Sequence, residues 1–254
     1  MNKTLTLFIF AVLGILTLQS CNVNSEIVYY KDAASTTVMD IDVREFMKEM
    51  KAMTPDSLKD KKEFGDMDKL PTVWTSLYDI DKKEGKLKTT NQDSIRIMKK
   101  IFMKSNKDGK EIAGFSLKMD RFTAQDYTAL NSFTKQEKLP IDQNVYNNWD
   151  GKALTIDTEN FNLKNLQEAL ASKSPELGTD ESMGKMEGMI MMFFKNIGTT
   201  LKFENKIKSI TGKHDWFKQI DDYSVRIQYD LKAMFDKEGA KPKNADKKIV
   251  IITE

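Results

Sequence analysis

At 254 residues, with 40 basic and 38 acidic side chains and a formal net charge of +2, the chain is long enough for one large domain or two small ones and is close to neutral. No concentrated basic stretch marks it as a nucleic-acid binder. A single cysteine and a single histidine exclude a disulfide-stapled scaffold and the usual His/Cys zinc sites, and no cofactor is expected.

The chain opens with a basic residue, Lys3, and an apolar run of 14 residues from Leu5 to Leu18, followed by Gln19-Ser20-Cys21. So short a run does not cross a hydrocarbon core of roughly 30 Å as a helix, and it reads as a cleavable export signal. Leu18-Gln19-Ser20-Cys21 resembles the lipobox of bacterial lipoproteins, with an aliphatic residue three places before the cysteine and a small one directly before it. Leu18, Ser20 and Cys21 match that pattern, whereas Gln19 departs from the small or apolar residue usual at its place. The resemblance implies cleavage before Cys21, a diacylglyceryl thioether on its sulfur and an acyl group on the new amine. Each buried CH₂ contributes about 0.8 kcal/mol, and two or three chains hold where one is marginal, so the implied partner is the membrane. Asn22 and the single Glu26 match neither the aspartate of inner-membrane retention nor the acidic cluster of surface display. Among Gram-negative envelope lipoproteins this resembles those of the outer membrane that face the periplasm. The expected organisation is residues 1–20 as signal peptide, 21–25 as lipidated polar tether and 26–254 as one domain, with a candidate internal boundary in the polar loop Ser172–Glu181.

After the tether, Glu26–Lys31 and Thr36–Val43 are rich in β-branched and aromatic residues and flank Asp32-Ala33-Ala34-Ser35, which predicts a hairpin. Met39, Ile41 and Val43 alternate with Asp40 and Asp42, giving one face to a core and one to water. Phe46, Met47, Met50 and Met53 follow at helical spacing before Pro55. Residues 54–110 read as helical and charged: Pro71 suits a helix start, with Val73, Trp74, Leu77 and Tyr78 as its apolar stripe, and Asn91-Gln92-Asp93-Ser94 opens a second helix carrying Ile95, Met98 and Phe102. Asn106-Lys107-Asp108-Gly109 is a turn rather than a calcium loop, whose first and twelfth positions would be Lys104 and Phe115 instead of acids.

The passage from strand to helix recurs at Ile112–Asp120 into Thr123-Ala124-Gln125-Asp126 with Tyr127, Leu130 and Phe133, at Leu154–Asp157 into Leu163, Leu166 and Leu170, and at Ser224–Asp230 into Leu231–Phe235. An aspartate closes the strand each time, at Asp42, Asp120, Asp157 and Asp230. These read as residues that accept unpaired backbone N–H groups at helix starts, in preference to a converging carboxylate site. Asp150-Gly151 is the strongest short hairpin signal. Thr199–Phe203 and Lys206–Ile210 predict strands around Glu204-Asn205, with the next strand from Tyr223; Lys237–Lys248 reads as loose and Ile249–Ile252 as a last buried strand. The fold class is therefore α+β: a mainly antiparallel sheet built from hairpins, with helices that follow the strands and pack on one face.

Chemistry-bearing motifs are sparse. His214 stands in a stretch of loop composition and reads as a surface or turn histidine, and the chain carries no nucleophile elbow, Walker loop or GxGxxG. Met183, Met186, Met189, Met191 and Met192 lead into Phe193 and Phe194. Soft thioethers suit Cu(I), but methionine is also the adaptable filler of cores and of sites for apolar ligands. Core and the wall of a lipid-like ligand site, with Met183, Met186, Met189, Phe193 and Phe194 as lining, are preferred over copper. The segments TTLKFENKIKSI and DDYSVRIQYDL resemble hairpins of bacterial lipoproteins, some of which have folds related to lipid-binding proteins. The expected function is a non-enzymatic, membrane-anchored module that binds an apolar ligand or an envelope protein. The alternatives are a hydrolase with dispersed carboxylates and a structural subunit of an envelope complex, with Trp74, Trp149 or Trp216 at the contact.

Overall fold

A computed structural model of the chain describes residues 21–44, 70–87, 89–109, 111–137, 148–161, 194–230 and 242–254. Its largest element is an eight-stranded sheet in the order β3-β4-β5-β2-β1-β7-β10-β9. These are β1 Cys21–Tyr29, β2 Ser35–Asp42, β3 Thr75–Ser76, β4 Ile101–Asp108, β5 Glu111–Phe122, β7 Phe194–Phe203, β9 Phe217–Asp221 and β10 Ser224–Tyr229. A second sheet has the order β6-β11-β8, from Ala153–Asp157, Lys248–Thr253 and Ile207–Thr211. Among the described residues three helices, α1 Leu77–Lys83, α2 Gln92–Lys100 and α3 Ala124–Glu137, accompany the sheets in an α+β fold. Among the described residues all strand pairings are antiparallel except β1 with β7, which run parallel through a register from Cys21 opposite Phe194 to Tyr29 opposite Phe203.

The predicted hairpin forms as β1 and β2, but β1 begins at Cys21 instead of Glu26. Residues 21–25 are therefore not a tether. Asn and Ser are poor strand formers, yet here their backbone groups lie between β2 and β7 in the middle of the sheet, and that pairing overrides propensity. Strands on both sides of Ser172–Glu181 share this sheet, so the candidate boundary does not separate two sheets; the loop itself lies outside the described residues.

Local signals place α2 well: Asn91 accepts the Ser94 N–H at 3.0 Å, and Ile97 and Met98 are buried. Two other expectations in this region are corrected. Pro71 does not start a helix; its carbonyl accepts the Ser105 N–H at 2.7 Å, and α1 starts after Ser76, whose hydroxyl caps Asp79. Phe102 is not on a helix, because α2 stops at Lys100 and the chain turns extended at Ile101 to form β4. The run Ile101, Met103, Ser105 fits a period of two as well as Ile95, Met98, Phe102 fits a helical stripe, and pairing with β5 decides between them.

At Asp150-Gly151 the carboxylate accepts the N–H groups of Lys152 and Ala153, at 2.8 and 2.7 Å, and Gly151 takes φ of 98°. A Cβ there would also stand 2.6 Å from the Lys31 carbonyl oxygen, so glycine lets this turn press against the β1–β2 turn. The expected pair around Glu204-Asn205 exists as β7 and β8, but the two strands belong to different sheets. β9 lies between β8 and β10, in a stretch expected to be loop. Residues 242–247 are tied down, with Asp215 accepting from the Lys243 N–H and Asp246 from the Lys213 N–H. Lys248 opens β11, the central strand of the small sheet, in which Ile249 and Ile251 are fully buried. The helices expected around Met47, Leu166 and Leu231 lie outside the described residues.

Candidate functional site

Strand register shows how the large sheet is divided. One face carries Asn24, the Glu26–Lys202 ion pair at 2.7 Å and Arg226, whose guanidinium donates to Asn24, Thr200 and Gln228. On the same face Asn106 donates to Ser116, which is bonded to Asp40, and the Lys118 ammonium stands 4.6 Å from the Phe102 ring and 5.6 Å from that of Trp74. Alternation places the opposite, apolar residues of six strands on the other face.

That apolar face is buried unevenly. Val225, Leu201, Ile27, Thr37, Met119 and Ile101 follow one another in register and all are buried. Nearer the β1–β2 turn, Phe203, Tyr29, Ser35 and Phe122 are buried as well. At the β10 side this region packs on the small sheet, through Leu154, Ile156, Ile249 and Ile251; at the β4 side it packs on Ile97, Tyr127 and Leu130 of α2 and α3. Toward the end where β1 begins burial is mixed: Met39, Leu117 and Met103 are partly buried in a row where Thr199 and Ile227 are buried, and Tyr229, Ile197, Ile41 and Phe115 are partly buried in the next, where Ser105 is buried. The partly buried residues of this end come from strands far apart in sequence.

Of the expected binding residues, Met183, Met186, Met189 and Phe193 lie outside the described residues. Phe194 opens β7, so it stands on a strand rather than on a methionine-rich helix. Cys21 is the first residue of β1.

The four aspartates do different things. Asp42 accepts the Arg44 N–H at 3.0 Å and pairs with its guanidinium, which holds its carboxyl below the usual range. Asp157 caps the short turn Thr158–Asn160 through the Glu159 N–H. Asp120 is no cap: β5 continues to Phe122, and Asp120 accepts from the Thr36 hydroxyl at 3.3 Å. Asp230 directly follows β10. The cap of α3 comes from Thr123 and Asp126 instead. Asp126, 1% exposed, pairs through Oδ1 with Arg96 and through Oδ2 with Lys100 at 2.6 Å, joining α2 to α3. The Thr-x-x-Asp spacing signals the cap, whereas the two cations lie a helix away in sequence. Among the described residues no group of three or more His, Cys, Asp or Glu side chains is placed to hold a metal ion.

His214 is not a surface residue. It is 7% exposed, bridges to Ala245 and packs edge-on to Phe161 and Trp216 at centroid distances of 5.2 and 5.0 Å, with Nδ1 accepting the Trp216 N–H. Trp149 is likewise buried, its indole N–H donated to the Tyr30 carbonyl, and offers no exposed contact. Burial lowers the His214 pKa, so the unfolded chain takes up a proton near pH 6.5 that the folded chain resists. The stabilising contribution is complete above about pH 6.5 and is lost as pH falls through the lower folded value. Between pH 7.5 and 5 the parent should lose more stability than His214→Asn, whose amide oxygen keeps an acceptor without titrating; urea midpoints at the two pH values measure this.

No protein-family model matches the chain, and no curated protein matches it in sequence. Among solved structures, the folded domain of LppM from Mycobacterium tuberculosis is similar at 9% identity, with a TM-score of 0.33 over 92% of this chain and 90% of that one.

Proposed function

We propose that the protein is a non-enzymatic lipoprotein of the cell envelope, held at the outer membrane facing the periplasm by acyl chains on Cys21, and that it binds a lipid-like ligand. The supporting observation is the uneven burial of one apolar sheet face, covered by the small sheet and the helices over most of its length and only partly buried around Met39, Ile41, Phe115 and Leu117. Apolar surface left half-exposed gains about 25 cal/mol per Å² when a ligand removes it from water. In sequence, the run Met183–Phe193 leads directly into β7, which supplies Ile197 to the same end.

Two outcomes follow. Cys21→Ala should move the protein from the membrane fraction to the soluble one, and the parent's N-terminal peptide should carry acyl mass; a variant that stays membrane-bound as fully as a parent without that mass contradicts the anchor. Native mass spectrometry of the Cys21→Ala protein should show retained lipid. Its absence, together with no uptake of added fatty acid, contradicts the ligand.

A further inference from the structure

We propose that Lys104 and Lys118, set beside the Trp74 indole on the polar face of the large sheet, form a binding site for a phosphate monoester. The site lies on the face opposite the apolar one, so the proposal does not depend on the lipid-binding reading above.

Three neighbouring strands build it. Ser105 fixes the segment before β3, its N–H donating to the Pro71 carbonyl at 2.7 Å and its hydroxyl to the Leu70 carbonyl at 3.1 Å. With Thr75 opposite Met103, Trp74 falls beside Lys104 of β4; Phe102 stands opposite Lys118 of β5, and Lys104 opposite Ser116. Lys104 and Lys118 are therefore diagonal neighbours on one face, within mutual reach of long side chains. Their ammonium groups stand 4.9 and 5.6 Å from the centre of the Trp74 ring, and that of Lys118 is also 4.6 Å from the centre of the Phe102 ring. All four side chains are partly buried.

What the two lysines lack is a counter-charge. Among the described residues neither forms an ion pair or a hydrogen bond through its ammonium group. On the same face Lys202 pairs with Glu26 at 2.7 Å, and Asp40, diagonal to Lys118 on β2, accepts the Ser116 hydroxyl instead. Ring faces attract a cation without neutralising it, so two like charges are left close together. Trp74 and Phe102 also displace water from one side of them, which strengthens their pull on an anion. A phosphate monoester matches the pair: it carries a charge of about −1.5 to −2 at neutral pH and three strong acceptor oxygens, and each ammonium offers three donors. A carboxylate or a phosphodiester brings a single negative charge and leaves one cation unmatched.

Isothermal titration calorimetry of the Cys21→Ala protein, in chloride buffers of matched low ionic strength, tests this with inorganic phosphate, glycerol 3-phosphate and dihexanoyl phosphatidic acid. Inorganic phosphate should bind saturably; Lys104→Gln and Lys118→Gln should each weaken it about tenfold or more, and the double substitution should abolish it, with circular dichroism unchanged. Lys99→Gln, whose ammonium lies 4.8 Å over the Tyr78 ring and outside the site, should bind as the parent does. In the unsubstituted lysine set, nuclear magnetic resonance should show phosphate shifting the side-chain signals of Lys104 and Lys118 and leaving that of Lys99 in place. Tighter binding of phosphatidic acid than of glycerol 3-phosphate assigns the monoester to a lipid headgroup, and equal or weaker binding assigns it to a soluble molecule. Dihexanoyl phosphatidylglycerol, a diester, should bind several-fold more weakly than phosphatidic acid; equal binding overturns the charge match. No saturable phosphate binding, binding that the double variant retains, or unmoved Lys104 and Lys118 signals overturns the site.

Discussion

Asp126→Ala is expected to lower the free energy of unfolding by about 3 kcal/mol, within the range seen when one partner of a buried ion pair is removed. Its carboxylate is almost wholly buried: Oδ2 accepts from Lys100, the Thr123 N–H and the Thr123 hydroxyl, while Oδ1 accepts no hydrogen bond and faces the Arg96 guanidinium as an ion pair. Arg96 and Lys100 are each about a third exposed, so after the substitution they regain water, which keeps the loss below the upper end of that range. What remains is an uncapped α3 and a gap between α2 and α3, next to Ile97, Tyr127 and Leu130. Asp126→Asn should recover part of the loss, because its amide oxygen still accepts the Thr123 N–H. Denaturant titration of the three proteins measures the order.

Tyr29→Ala should cost about 3 to 5 kcal/mol, as for other large aromatic side chains lost from a packed interior. Tyr29 has no exposed surface and stacks on Phe203 at 5.2 Å while meeting Trp149 at 5.4 Å, so one ring joins β1, β7 and the turn that leads to the small sheet. Burial pushes its hydroxyl well above the ordinary phenol range, so the neutral ring is what the core holds. Tyr29→Phe keeps the stacking and should cost much less than Tyr29→Ala; similar losses for the two would shift the weight from the ring to the hydroxyl. Thermal melts followed by near-ultraviolet circular dichroism, which reports Trp149 and its neighbours, read the difference.

Features set by neighbouring residues were legible in the sequence. The β-branched runs around Asp32–Ser35 gave the first hairpin, Asn91 the start of α2, Asp150-Gly151 its turn, and Ile249–Ile252 the last strand. What depended on distant partners was not. The parallel pairing of β1 with β7 joins residues more than 170 positions apart, and it alone turns the polar stretch 22–25 from tether into strand. β9 is an edge strand whose residues past Phe217 are exposed, so Lys218, Gln219 and Asp221 show no apolar alternation to reveal it. β8 separates from β7 because Ile207 and Ile210 pair with β11 in the other sheet, which the turn at Glu204-Asn205 does not announce.

The candidate site divides the same way. The preference for a carboxylate at helix starts foresaw the cap of Asp157 and agrees with the Arg44 N–H that Asp42 accepts. Asp120 broke that rule because β5 runs on for two more residues, and Thr123 with Asp126 took the role. The partly buried end of the apolar face had no linear signature at all. Its half-buried end draws one or two residues from each of β2, β4, β5, β7 and β10, and only the register brings them together.

The central claim is that this face takes an apolar ligand, and titration of the Cys21→Ala protein with a fluorescent fatty acid tests it most directly. The parent should bind saturably, and Phe115→Glu and Ile41→Glu, on two neighbouring strands at the partly buried end, should each weaken binding while circular dichroism stays unchanged, since both side chains keep part of their surface in water. No saturable binding by the parent, or binding that both folded variants retain in full, would contradict the account.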